Sequence, residues 1–135
     1  MGITTQWDND AKTIIRCIYA GSWEWSDMHR SIAEVKALMQ SVAHTVDIII
    51  DVTHSQVLPA NPLTHLDNLH SLPREANAGQ TILVGANMFV KRIYALFCRA
   101  NPEMIVRFQV AATLDEARAI LTRQPSLGRH VAGAS

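Results

Sequence analysis

The sequence predicts a single α/β domain: a mixed, mostly parallel sheet with helices packed against it. Three observations carry that prediction. Short runs dense in β-branched and apolar residues recur at 46–52 and 81–85, stretches of helical periodicity separate them, and most of those stretches follow a residue suited to capping a helix. Such alternation over the later part of the chain is the pattern of β-α-β units, whose crossovers produce parallel strands.

Residues 3–7 and 12–19 are rich in Ile, Thr and aromatic side chains and flank Asp8-Asn9-Asp10, so they read as a hairpin. From Ser26 the period changes. Met28, Ile32, Val35, Leu38, Met39 and Val42 share one helical stripe, with Ser26 as the expected N-cap and Asp27 favourable at the positive helix end. The run Val46-Asp47-Ile48-Ile49-Ile50-Asp51-Val52 is nearly continuous in β-branched residues, as expected of a central strand covered on both faces.

Asn61-Pro62 places an N-cap residue before a proline at the first helical position. Leu63, Leu66, Leu69 and Leu72 supply that second helix's apolar side, Pro73 ends it and Gly79 closes the segment. A strand at 81–85 follows. Asn87 then caps a helix over 88–100 in which Phe89, Ile93 and Phe97 share a face, and Asn101-Pro102 stops it. Residues 105–111 alternate as an outer strand does, and Thr113-Leu114-Asp115-Glu116 forms a capping box ahead of Ala117, Ile120 and Leu121. The order is ββαβαβαβα over 1–124, and 125–135 is expected to be a frayed tail.

A chain of 135 residues buries about two-thirds of its unfolded surface. With 48% hydrophobic and 18% charged residues it has material for a core without staples. Twelve basic residues balance twelve acidic ones, which argues against a nucleic-acid partner, because that affinity rests on neutralising phosphates. The start lacks the basic and apolar regions of a secretory signal, and no run approaches the ~20 apolar residues of a membrane span. A cytoplasmic protein is the expectation. Cys17 and Cys98 lack paired spacing and read as buried, reduced thiols.

This element order, with the strand Ile48-Ile49-Ile50-Asp51-Val52 leading through a loop into a capped helix, resembles the STAS fold, in particular its SpoIIAA-like (STAS/SEC14-like) branch. That is the fold of bacterial anti-sigma-factor antagonists and of the cytoplasmic domain of sulfate transporters. The resemblance spans roughly residues 3 to 124 and implies a regulatory module that binds a protein partner. In such antagonists a segment Asp-Ser-Ser/Thr-Gly at the helix start carries the phosphorylated hydroxyl. The matching stretch here is Pro59-Ala60-Asn61-Pro62, so both hydroxyls are missing and the kinase-driven switch is expected to be absent or displaced, with Thr53 and Ser55 as nearby substitutes.

Asp51, His54 and Ser55 lie where the central strand ends, the edge at which open α/β sheets hold ligands. A hydrolase using Ser55 and His54 would need a nucleophile elbow, and no Gly-x-Ser-x-Gly is present. Asp51 is expected to accept loop N–H groups and His54 to lie on the surface. The six histidines include no i,i+4 pair, so neither a metal nor another cofactor is expected. Trp23 and Trp25 either offer an aromatic contact surface or lid the core, and the lid is the commoner outcome. The reading is a non-catalytic regulatory or adaptor domain. Its partner-binding residues are expected at Thr53, His54, Ser55, Asn61 and Leu63, with Val90, Tyr94, Phe97 and Trp25 as a further interface and self-association through the 88–100 helix left open. The alternative is a carrier of a small apolar or lipid-like ligand held between sheet and helices.

Overall fold

The hairpin at the start pairs β1 (Ile3–Trp7) antiparallel with β2 (Ile14–Gly21). The computed structural model describes residues 2–55, 59–62, 64, 65, 75–100 and 108–123, with Phe97 by its backbone alone. The second strand begins two residues later than its composition suggests, because the connection is closed by Asn9. Its Oδ1 accepts the N–H groups of Thr13 at 3.0 Å and Ile14 at 3.3 Å, while Lys12 sits in the left-handed region at φ 58°.

Helix α1 (Trp25–Gln40) starts earlier than expected: Glu24, not Ser26, is the N-cap. Ser26 has the better intrinsic capping propensity, but Asp27 decides the start by reaching back to accept the Glu24 N–H at 2.8 Å. That backbone hydrogen bond, with Arg30 at 3.2 Å, holds the Asp27 carboxyl below its ordinary value of about 3.9. A depressed carboxyl stabilises the fold above its unfolded pKa and stops doing so as pH falls through the folded one. The thermal advantage of the native protein over Asp27→Asn is therefore expected to be full near neutrality and to fall away as pH drops below about 4, as melting curves across pH would show.

The five strands lie in the order β1-β2-β3-β4-β5, with β3 (Val46–Ser55), β4 (Ala78–Val84) and β5 (Phe108–Ala111) all parallel to β2. The central strand is thus the β-branched run, as its composition requires. Side chains alternate across it. Ile48, Ile50 and Val52 join Ile15, Cys17, Tyr19, Trp23, Met39 and Val46 in a cluster that also takes Met28, Val35, Leu38 and Val42. Ile49 faces the other way, into Ile82, Val84, Ala111, Ala117 and Leu121, the last two from helix α3 (residues 114–123). Helix α2 (Met88–Ala100) packs Tyr94 and Cys98 on Phe108. Phe108 is in register with Thr81, and Thr81 with Ile48, so α1 and α2 share one face of the sheet while α3 covers the opposite one.

Two helix starts are as the sequence indicates. Asn87 Oδ1 accepts the Val90 N–H at 2.9 Å, and Thr113 Oγ1 accepts the Glu116 N–H at 3.2 Å. Glu116 in turn takes the N–H of Ala112, one residue before the expected partner. Gly79 lies inside β4 instead of closing a loop, because Asp47, buried on β3, accepts the Gln80 N–H at 2.8 Å and extends the pairing backwards. The Phe89 side of α2 is not its buried one: Phe89 is 56% exposed, and Tyr94, expected at an interface, turns toward the sheet. An apolar arc wider than the sheet can cover leaves the choice to tertiary fit, and the Tyr94 ring meets Phe108 at 6.3 Å between centroids.

Two further contacts fasten the layers. Ser31 is buried in the middle of α1, its hydroxyl 2.7 Å from Thr5 Oγ1 and 3.8 Å from Cys17 Sγ, so a small residue there brings the helix close to the hairpin. Asp8, whose side chain is only 4% exposed, is gripped by both prongs of Arg118 at 2.8 and 2.9 Å, with Arg16 at 3.5 Å. A bidentate pair whose carboxylate is withdrawn from solvent, even with Arg118 half-exposed, is more strongly held than a single-contact surface pair. Of the expected segments, Leu63, 66–74, 105–107 and the 125–135 tail lie outside the described residues.

Candidate functional site

The parallel strands all point their carboxyl ends at one rim, where β2, β3 and β4 give way to Gly21, Ser55 and Gly85. An aromatic series organises one side of it. Tyr19 meets Trp23 edge-on at 4.9 Å, Trp23 meets Trp25 edge-on at 5.2 Å, and Trp25 stacks on His65 at 4.5 Å with 11° between the rings. The Trp23 ring is buried and lids the α1 cluster, the commoner of the two roles its sequence context allowed. Its indole N–H donates to Ser55 Oγ at 2.9 Å. Trp25 is half-buried and donates to the Ala60 carbonyl at 2.7 Å, which ties the start of α1 to the chain leaving β3.

That chain then turns through Asn61 at φ 60°, a left-handed conformation to which Asn is better suited than most residues. The extended backbone usual for an N-cap is therefore not adopted at Asn61. Its carbonyl still accepts the His65 N–H at 3.2 Å, and Pro62, Thr64 and His65 are helical. Asp51 does what a strand-end carboxylate was expected to do: its Oδ1 accepts the Thr53 N–H at 3.0 Å and the Thr53 hydroxyl at 2.6 Å. Thr53 also abuts Gly85 of the neighbouring crossover, and His54 is exposed.

The Ser55 hydroxyl accepts the Trp23 indole N–H, and His54 is exposed and makes no bond to Ser55 among the described residues. Cys17 and Tyr19 are the other potential reactive groups nearby. Burial pushes the Cys17 thiol and the Tyr19 phenol above their ordinary ranges, so both stay protonated at neutral pH. Among the described residues no three His, Cys, Asp or Glu side chains converge on a metal-sized site, and no helix is long and apolar enough to cross a membrane.

The sites expected from sequence thus divide. Thr53, His54, Ser55 and Asn61 do meet at one rim, and Trp25 reaches it from α1. Val90 and Tyr94 are half-buried on α2, while Leu63 and the Phe97 side chain are outside the description. Met88 and Phe89, 68% and 56% exposed in the first turn of α2, were not anticipated as surface, since a capped apolar helix start reads as core. The His65 stack had no sequence signal, being a contact across 40 residues. No family model matches the chain, and no curated protein matches it.

Proposed function

We propose that this chain is a non-catalytic regulatory or adaptor domain, STAS-like in layout, that docks a protein partner at the strand-end rim and along the outer side of α2. The observation that carries the reading is the engagement of Ser55 by Trp23, with His54 exposed and making no bond to it among the described residues. The rim's hydroxyl and imidazole are thereby spent on structure and exposure, which suits recognition better than turnover. In the STAS comparison the phosphoryl-accepting segment corresponds to Pro59-Ala60-Asn61-Pro62, so partner release here proceeds without phosphorylation of that segment. A carrier of an apolar ligand would need vacant volume between helix and sheet, and between α1 and the sheet that volume holds Tyr19, Trp23, Met39 and their neighbours.

A photo-crosslinking residue tests the reading. With His54→p-benzoylphenylalanine in the full chain, irradiation in an extract of the source cells is expected to give a discrete protein adduct that excess native protein suppresses. Absence of protein adducts from this position and from the outer side of α2 would overturn it, and measurable hydrolysis abolished by Ser55→Ala would put an enzyme in its place.

A further inference from the structure

The sheet uses only part of the apolar circumference of α2. Tyr94 and Cys98 are turned inward onto Phe108, while Met88, Phe89 and Leu96 remain 68%, 56% and 44% exposed. At roughly 100° per residue, Phe89 and Leu96 fall within about 20° of each other, and Arg92 and Arg99 form a second row beside them, also about 20° apart. Lys91 adds a third cation, and the helix Met88–Ala100 contains no acidic residue. All three cations are exposed, and none joins an ion pair among the described residues. Two of the chain's twelve basic residues, Arg92 and Arg99, thus lie beside exposed apolar side chains on a helix without an acidic residue, while Lys91 falls on another side of it.

We infer that the outer side of α2 is the docking strip for an acidic amphipathic segment of a protein partner. Apolar side chains of that segment cover Phe89 and Leu96, and a row of carboxylates on one side of it faces Arg92 and Arg99. Charge selects the occupant. A second copy docking through the same face would set two arginines against two with no carboxylate on either helix, at a cost that opposes association. An anionic membrane is the weaker fit, because each cation near such a surface contributes only about 1 kcal/mol and only Arg92 and Arg99 lie beside the apolar row. The inference rests on the protein-binding reading above and specifies the chemistry of the partner.

The test places p-benzoylphenylalanine at position 96 of the full chain and maps the adduct by peptide sequencing, in parallel with the probe at position 54. The expected adduct lies in a segment with acidic residues at helical spacing. It falls at least about tenfold in Arg92→Glu/Arg99→Glu, which reverses both charges of the row, and weakens in 0.5 M salt. Circular dichroism and melting of that exposed double variant are expected to match the native protein. Adducts from position 54 with none from position 96 overturn the docking strip and leave binding at the strand-end rim intact; adducts from neither overturn both. A position-96 adduct with a second copy, or with a neutral or basic segment, overturns the acidic partner. So does co-sedimentation with phosphatidylserine-containing vesicles that disappears in the double variant.

Discussion

Replacing Ile49 by alanine is expected to lower unfolding stability by about 4 kcal/mol. Ile49 is 0% exposed at the middle of the central strand and is enclosed by Ile82, Val84, Ala111, Ala117 and Leu121. Strands on both sides and a helix above leave the cavity little freedom to collapse, which puts the cost in the upper part of the range for such truncations. Since a domain of this kind has roughly 5 to 15 kcal/mol in total, the substitution consumes a large share of it. Urea unfolding should show the midpoint dropping with an unchanged slope, and Ile49→Val should cost only about 1 kcal/mol. A loss under about 1.5 kcal/mol for the alanine would mean that α3 is not packed on this face.

Gly85→Ala is the second large effect, at about 3 kcal/mol, and it divides into two terms. The residue sits at φ 73°, where an L side chain is strained by roughly 1–2 kcal/mol. Its new Cβ would also lie 2.2 Å from Thr53 Oγ1 and 2.8 Å from Thr53 Cα. The second of those atoms is backbone in the adjoining strand and has nowhere to go. Gly21 supplies the control, because it has φ 62° with nothing within 4 Å of the same position. Gly21→Ala should therefore show the dihedral cost alone, and the difference between the two melts reads out the contact with Thr53. Equal losses would show that the rim yields at Thr53 without resistance.

What the sequence made legible follows from how local each signal is. The β-branched run of β3, the Asn87 cap and the Thr113 box are each written in a few consecutive residues, and each appears where expected. The start of α1 was misplaced because capping propensity favours Ser26, whereas the outcome depended on which cap Asp27 could reach. The orientation of α2 was misjudged for a different reason. Its apolar arc is wide enough to bury either of two sides, and only the position of Phe108 on β5 selects Tyr94 and Cys98. At the candidate site, Thr53, His54 and Ser55 were legible as the end of a buried strand. The bonds from Trp23 to Ser55 and from Trp25 to Ala60 join residues 32 and 35 apart, and no pattern along the chain encodes them.

The fork between Asp8 and Arg118 joins residues 110 apart, from the first hairpin to the last helix. During synthesis Asp8 therefore waits for its strongest counter-charge until all five strands of the sheet have been made. A nascent chain halted within α3 would hold a sheet whose leading hairpin still carries that carboxylate without its main partner. Completion of the native structure is thus deferred to the arrival of a single guanidinium, and the two extremities of the domain mature together.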